Sequence, residues 1–549
     1  MTDAPGLPYA VSLPPASSLT NHTGAWRTQR PAYVDLVPPC SAACPAGEDV
    51  RGWLRHTEDR DDEAAWRLLT STNPLPAIMG RICYRPCQTA CNRAELDESV
   101  GINSVERYLG DAAIAAGWAL APAGPATGRH VVVVGSGPAG LAAAHHLRRL
   151  GHEVTVRESQ QQPGGMLRYG IPRYRLPREV LDAEIDRLVA TGIRLECGSP
   201  VDDLAALRAE PGVDAVVLAV GAQLGRRTYL PAGDGATVLD AVHVLHDMED
   251  AGAPTLGRRV VVYGGGNTAV DAARTARRLG ATETLILYRR TRDRMPAAVS
   301  EVAEAEEEGV RLRWLSTISA VEPGTITVER MALDDSGFPQ PTGELEQLDA
   351  DCVVLALGQE SDLTLLDSVP SVRVSDGLVV ADPAGATGEP GVFACGDAVG
   401  GARTATSAVG AGRRAALAAD AWLRSAEQAT QPTQEPLVSE VPYERLTTWY
   451  YSDAPHAVRP RLEAARRTTG FEEVVAGLDE GTARYEAQRC MSCGTCFECD
   501  NCYSYCPDDA IVKLGPGLGY AVDLDYCKGC GICAAECPAG AIDMVTEPD

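Results

Sequence analysis

Val131-Val-Val-Val134-Gly135-Ser136-Gly137-Pro138-Ala139-Gly140 organises the middle of this chain. Four β-branched residues in a row read as a buried strand, and the glycines after them are spaced G-x-G-x-x-G. The following segment, LAAAHHLRRLG, has helical composition, and a second apolar strand ends at Glu158. Each part has a physical role in binding a dinucleotide. The glycines allow a tight turn and close backbone approach, the helix N-terminus receives the pyrophosphate, and the acid holds a ribose hydroxyl. A distant stretch, Phe393-Ala394-Cys395-Gly396-Asp397, has the form flavoproteins use to hold the ribityl chain. FAD is the expected occupant.

The same series of elements returns at Val260 to Tyr263, followed by Gly264-x-Gly266-Asn267-Thr268-Ala269, a helix to Leu279 and a strand from Thr284 to Tyr288. Where an NAD site ends in an acid, this strand runs into Arg289-Arg290, with Arg294 close behind. Guanidinium groups bind a ribose 2′-phosphate bidentately, so the pattern favours NADPH over NADH; the alternative is a solvated basic face. The second unit lies between the two flavin elements, which places it as an insertion in a split flavin domain and sets nicotinamide against isoalloxazine. The sequence has no CxxxxC redox pair beside the flavin, no Ser/His/Asp set and no HExxH. None is needed, because the flavin accepts a hydride and releases electrons singly.

Ten of the eighteen cysteines fall between Cys490 and Cys537. Cys496-x2-Cys499-x2-Cys502-x3-Cys506-Pro507 is one four-cysteine cluster run, and Cys527-x2-Cys530-x2-Cys533-x3-Cys537-Pro538 is a second. The fourth cysteine of each run ligates the other cluster in two-cluster ferredoxins. One [4Fe-4S] centre is therefore expected on Cys496, Cys499, Cys502 and Cys537, and the other on Cys527, Cys530, Cys533 and Cys506. A zinc ribbon would use two CxxC pairs across a longer gap. Five more cysteines precede the flavin region, as Cys40-x3-Cys44-Pro45 and Cys83-x3-Cys87-x3-Cys91. Cys197, Cys352 and Cys395 lie in or beside apolar strands and read as small core residues.

The length of 549 residues suits several domains. No stretch is long and apolar enough to span a bilayer, and the N-terminal MTDAPGLPYAVSLPP has neither a basic nor an apolar leader region. A reducing cytoplasm is expected, in keeping with thiolate ligands. The net charge of −26 would repel a phosphate backbone, which argues against nucleic acid as a partner. The expected division is a helical iron–sulfur domain (1–128), an α/β Rossmann-like FAD domain in two parts (129–240 and 351–425) split by a Rossmann-like NADP domain (241–350), a linker and docking segment (426–489), and an α+β ferredoxin-like domain (490–549).

Gly80-Arg81-Ile82-Cys83, Gly164-Gly165-Met166-Leu167-Arg168-Tyr169-Gly170-Ile171-Pro172, Gly264-Gly265-Gly266-Asn267-Thr268, and Tyr288-Arg289-Arg290 with Met295-Pro296 resemble the small subunit of NADPH-dependent glutamate synthase over nearly the whole chain. The same module is similar to the N-terminal half of dihydropyrimidine dehydrogenase and to the large subunit of NADH-dependent ferredoxin:NADP oxidoreductase. The resemblance implies FAD contacts at Gly135, Gly137, Pro138, Ala139, Gly140, Glu158, Gly165, Leu167, Gly396 and Asp397. It implies NADP contacts at Gly264, Gly266, Asn267, Thr268, Arg289, Arg290 and Arg294, together with two N-terminal [4Fe-4S] clusters. The appended ferredoxin departs from the glutamate synthase subunit and resembles flavoproteins that serve 2-oxoacid:ferredoxin oxidoreductases.

A second departure concerns a segment reading roughly Phe-x-Glu-Val and then Glu-Ala-x-Arg-Cys-x-x-Cys, which opens the relatives. It is missing from this N-terminus and reappears as Phe471-Glu472-Glu473-Val474 and Glu486-Ala487-Gln488-Arg489-Cys490-Met491-Ser492-Cys493. Once the core and ferredoxin cysteines are set aside, Cys40, Cys44, Cys83, Cys87, Cys91, Cys490 and Cys493 remain. Relatives supply one N-terminal ligand from a Glu or Gln in the helix after the last cysteine, the position of Glu106. By the family's pairing, one cluster takes Cys44, Cys83, Cys87 and Glu106, and the other Cys40, Cys91, Cys490 and Cys493. The alternative is one N-terminal cluster on the five local cysteines. The expected activity is electron transfer from NADPH through FAD and four clusters to a ferredoxin or a 2-oxoacid:ferredoxin oxidoreductase in a hetero-oligomer, in either direction. The alternatives are a glutamate synthase small subunit and, in a different class, a non-catalytic redox sensor or scaffold. The ferredoxin is expected to be the exit, tethered beyond a flexible linker.

Overall fold

The computed structural model describes residues 22–425 and 439–547, apart from 227, 229, 251 and 253. The leader reading at 1–15 and most of the linker at 425–442 lie outside the described residues. No described helix is long and apolar enough to cross a membrane.

The valine run forms the strand His130–Val134 at the centre of a five-stranded parallel sheet in the order Val392–Ala394, Ala215–Leu218, His130–Val134, Glu153–Arg157 and Arg194–Glu196. All four valines are buried because both faces are covered. Val131 and Val133 pack under the helices Pro138–Arg149 and Ala405–Ser425, while Val132 and Val134 face Leu204, Leu366 and Val379.

The second sheet is also parallel, in the order Arg311–Arg313, Glu283–Leu287, Arg259–Tyr263, Cys352–Leu355 and Val238–Asp240. An antiparallel sheet, Ser316–Glu322, Thr325–Leu333 and Pro339–Asp349, packs beside it. Two expected boundaries need correction. Val238–Asp240 and Cys352–Leu355 lie outside 241–350, yet both are strands of this sheet, and Cys352 to Leu355 pair in register with Val260 to Tyr263. Cys352 and Cys395 are each 2% exposed within these cores, whereas Cys197 is exposed just after the edge strand Arg194–Glu196, which corrects its reading as a core residue.

The N-terminal domain is built on the helices Val50–Glu58, Asp62–Thr70, Pro76–Ile82 and Ile102–Ala116. Asp49 and Asp61 cap the first two, accepting from Gly52 N at 3.0 Å and Ala64 N at 3.1 Å. Pro76–Ile82 and Ile102–Ala116 cross at two glycines: a Cβ on Gly80 would lie 2.4 Å from Arg107 Cα, and one on Gly110 would lie 2.3 Å from Ala77 N. That close crossing sets Cys83, at the end of one helix, beside Glu106 on the other.

The ferredoxin unit carries the hairpin Ile511–Gly515 and Gly519–Val522 and the strand Ile542–Thr546. The last of these pairs antiparallel with Gln29–Tyr33, from Gln29 opposite Thr546 to Tyr33 opposite Ile542. The expected division is corrected here as well. Residues 29–33, assigned to the helical domain, pair with the last strand of the ferredoxin unit, a contact made in addition to the expected docking segment.

Candidate redox site

A cavity of about 1120 Å³ runs between the two nucleotide-binding sheets. It is larger than the roughly 300–1,000 Å³ of a usual small-ligand pocket, as a meeting of two nucleotides requires. Gly135, Gly137, Pro138, Ala139, Glu158, Gly165, Leu167, Gly396 and Asp397 line one side. Gly264, Gly266, Asn267, Thr268 and Arg289 line the other. Gly140, Arg290 and Arg294 do not line it. A Cβ on Gly140 would sit 1.9 Å from Gly135 O, so this glycine packs helix on strand. A Cβ on Gly137 or Gly266 would meet nothing within 4 Å, which leaves open the space a pyrophosphate fills above each helix N-terminus.

Glu158 is held in place from below. Its Oε2 accepts from Ser136 N at 2.9 Å and from Ser136 Oγ at 2.6 Å, and its Oε1 accepts from Gln160 N at 2.8 Å. Asn267 Oδ1 accepts from Ala298 N at 2.8 Å, tying the second helix start to the loop after Pro296. Burial pushes the Asp397 carboxyl above its usual range, with Arg403 opposing the shift. Arg289 lies over the Phe338 ring, 5.9 Å from its centre, and Arg294 packs against Gly337.

Ile82 and Tyr84, on either side of Cys83, also line the cavity. Behind them Cys44, Cys83 and Cys87 converge with Glu106. Asn73 Nδ2 donates to Glu106 Oε1 at 2.9 Å, and equally to Glu48 Oε1 at 2.9 Å. Burial, with Glu106 next in effect, raises the Cys83 thiol to about 11.

Cys40, Cys91, Cys490 and Cys493 line a second small pocket with Pro38, Leu54 and Ile102. Burial, followed by the neighbouring Cys490, Cys91 and Cys493 sulfurs, pushes the Cys40 thiol well up. Burial likewise raises Cys490 to about 12 and Cys493 to about 11. The helix Glu480–Gln488 brings the last two cysteines here. Its Glu486 is completely buried and accepts from Gly101 N at 2.6 Å and Arg489 Nη1 at 2.9 Å, and Arg489 O accepts from Arg93 Nη1 at 2.7 Å.

In the ferredoxin unit the sulfur of Cys502 is surrounded by those of Cys496, Cys499 and Cys537. Cys506, Cys527, Cys530 and Cys533 line a separate pocket. Each set brings together four cysteines, the number of thiolates a [4Fe-4S] cluster takes.

Several residues at these sites carry no motif. Asn73 and Glu48 stand beside Glu106, and Thr406, at the start of the flavin-domain helix, donates to Met79 Sδ at 3.6 Å and opposes the upward shift of the Cys83 thiol. Tyr33 donates to Cys502 Sγ at 3.2 Å. Sequence spacing gives no signal for any of these, since each acts across folded contacts.

Two dinucleotide sites facing one cavity, with cysteine clusters leading away from it, define an oxidoreductase that couples a nicotinamide and a flavin to iron–sulfur centres. Residues 129–412 match the family described as pyridine nucleotide-disulphide oxidoreductase. Residues 25–118 match dihydropyrimidine dehydrogenase domain II, 4Fe-4S cluster, and residues 495–541 a 4Fe-4S dicluster domain. The chain is 35% identical to NADP(+)-dependent formate dehydrogenase subunit beta of Moorella thermoacetica, over 83% of this chain and 71% of that protein. It is 31% identical to NADPH-Fe(3+) oxidoreductase subunit beta of Geobacter sulfurreducens, over 84% and 76%. It is 34% identical to the glutamate synthase [NADPH] small chain of Azospirillum brasilense, over 72% and 88%. The chain belongs to the pyridine nucleotide-disulphide oxidoreductase family and is an NAD(P)H-dependent FAD/iron–sulfur oxidoreductase.

Proposed function

We propose that this chain is the electron-transfer subunit of a hetero-oligomer, passing electrons between NADPH and a partner such as a ferredoxin or a 2-oxoacid:ferredoxin oxidoreductase. Bound FAD supplies the conversion between hydride transfer and single-electron transfer. The protein supplies position and charge. Gly137 and Gly266 clear space for the two pyrophosphates, Glu158 offers its carboxylate to a ribose, and Arg289 offers a guanidinium to the 2′-phosphate. Cys44, Cys83, Cys87 and Glu106 hold one [4Fe-4S] centre, Cys40, Cys91, Cys490 and Cys493 a second, and the two crossed ferredoxin sets the third and fourth.

The observation that carries this reading is the unbroken succession of sites. Cys83 stands between two residues of the nucleotide cavity, Cys87 and Cys91 are one helical turn apart in sequence, and Cys493 is three residues from Cys496. Anaerobic stopped-flow mixing with NADPH tests it. Flavin bleaching is expected first, followed by cluster reduction and then reduction of an added ferredoxin. Flavin bleaching without any cluster reduction would end the proposal. Isolation of the native complex identifies the partner, and a glutamate synthase large subunit in that complex would replace the partner proposed here.

A further inference from the structure

The strand Gln29–Tyr33 presents alternate residues to the two cluster sites of the ferredoxin unit. In a strand, residues two apart share a face, and Pro31 and Tyr33 are such a pair. Pro31 lines the pocket of Cys506, Cys527, Cys530 and Cys533, where its ring offers no hydrogen-bond donor. Tyr33 donates its O–H to Cys502 Sγ at 3.2 Å, in the set of Cys496, Cys499, Cys502 and Cys537. The Tyr33 ring is stacked on Tyr520, with centres 6.1 Å apart and planes 18° apart, so the hydroxyl is aimed by packing.

The register that selects these two residues is fixed at both ends of the strand. Before it, Arg27 pairs with Glu547 and donates to Cys527 O at 3.1 Å, while Gly24 N donates to Asp525 O at 2.9 Å. After it, Val34 N donates to Ala541 O and Leu36 N to Gly494 O, both at 3.0 Å. A Cβ on Gly529 would lie 2.1 Å from Gln29 O, so the strand can come this close only past a glycine. A slip of one residue would turn Tyr33 away from Cys502.

We infer that Tyr33 is a positioning residue that sets the two ferredoxin clusters at different reduction potentials, holding the Cys496/Cys499/Cys502/Cys537 centre above the Cys506/Cys527/Cys530/Cys533 centre. The inference rests on the cluster assignment proposed above. A hydrogen bond to a ligand sulfur draws negative charge away from the cluster, which favours the reduced, more negative state. The inner centre, nearer in sequence to Cys493, then holds the first electron to arrive at the ferredoxin unit. A residue near the start of the chain thus tunes a centre near its end.

Potentiometric titration of the full-length reconstituted protein, followed by electron paramagnetic resonance, tests this in wild type, Tyr33→Phe and Tyr33→Leu. Tyr33→Phe keeps the ring and its stacking and removes only the donor. The expected result is two separable ferredoxin potentials in wild type and a fall in the higher one in both variants, with the other potential, the FAD content and the iron content unchanged. A Cys530→Ser variant, which alters the outer centre alone, identifies which signal moved. Unchanged potentials in Tyr33→Phe, or equal movement of both, would overturn the inference. Wild-type protein without ferredoxin-type [4Fe-4S] signals would instead remove the cluster assignment beneath it.

Discussion

Arg81 Nε donates a 2.9 Å hydrogen bond to Glu473 Oε1 across 392 residues of chain, and an Arg107 guanidinium nitrogen stands 2.9 Å from the same oxygen. Arg81 precedes Cys83 and Glu473 belongs to the Phe471-Glu-Glu-Val474 segment, so the pair fastens that segment to the helices that carry Cys83 and Glu106. Both arginine side chains are at most 5% exposed. Glu473→Gln is expected to destabilise the protein by about 1–3 kcal/mol. That is less than the roughly 3–5 kcal/mol of breaking a fully buried pair, because Asp111 still pairs both arginines. Chemical denaturation followed by circular dichroism measures it.

NADPH is expected to bleach the flavin much faster than NADH. Arg289 is the one of the three basic residues that lines the cavity, and loss of hydrogen bonds to a charged group costs about 1.5–3 kcal/mol. Arg289→Ala should therefore weaken NADPH binding by roughly 10- to 100-fold and leave NADH little changed. Stopped-flow titration with each nucleotide decides it, and a wild-type preference for NADH would refute the assignment.

Four [4Fe-4S] centres correspond to about sixteen irons per FAD. Because Cys490 and Cys493 share a pocket with Cys40 and Cys91, the Cys490→Ser/Cys493→Ser double variant should fall to about twelve irons after full reconstitution. Iron and flavin assays give the ratio. An undiminished ratio in the variant would exclude the shared centre.

Removal of residues 494–549 should spare flavin reduction by NADPH and abolish transfer to the protein partner. It would also strip Gln29–Tyr33 of its pairing strand. The truncated protein is therefore expected to associate through that exposed edge, which size-exclusion chromatography reads directly. Partner reduction at the wild-type rate would place the exit elsewhere.

Burial raises the Glu184 carboxyl to about 8, against the opposing Arg187 charge. The folded state then holds a proton that the unfolded chain has released, from near its ordinary pKa of about 4.3 up to about 8, and stability falls as pH rises through that window. At about 1.4 kcal/mol per pK unit the effect amounts to a few kcal/mol. Glu184→Gln should flatten the decline, as thermal melts between pH 5 and pH 8 would show. A steeper decline in the variant would contradict this account.

The nucleotide loops and the ferredoxin cysteines were legible from residue order because their requirements are local. Gly135 adopts a φ of +104° and Gly264 one of +152°, and the glycine spacing is set by a turn and a helix start only a few residues long. Cysteine spacing reports the span of one cluster in the same way. Strand partnership is different, since backbone hydrogen bonds form between any two extended segments that the fold aligns. Nothing in Gln29 to Tyr33 names Ile542 to Thr546 as its partner, and nothing in Cys352 to Leu355 places it beside Val260 to Tyr263. The exposure of Cys197 and the sharing of Asn73 by Glu48 and Glu106 likewise arise from contacts between elements distant in sequence. Folding supplied those relationships because burial and pairing depend on what packs against a segment, which its own residues do not encode.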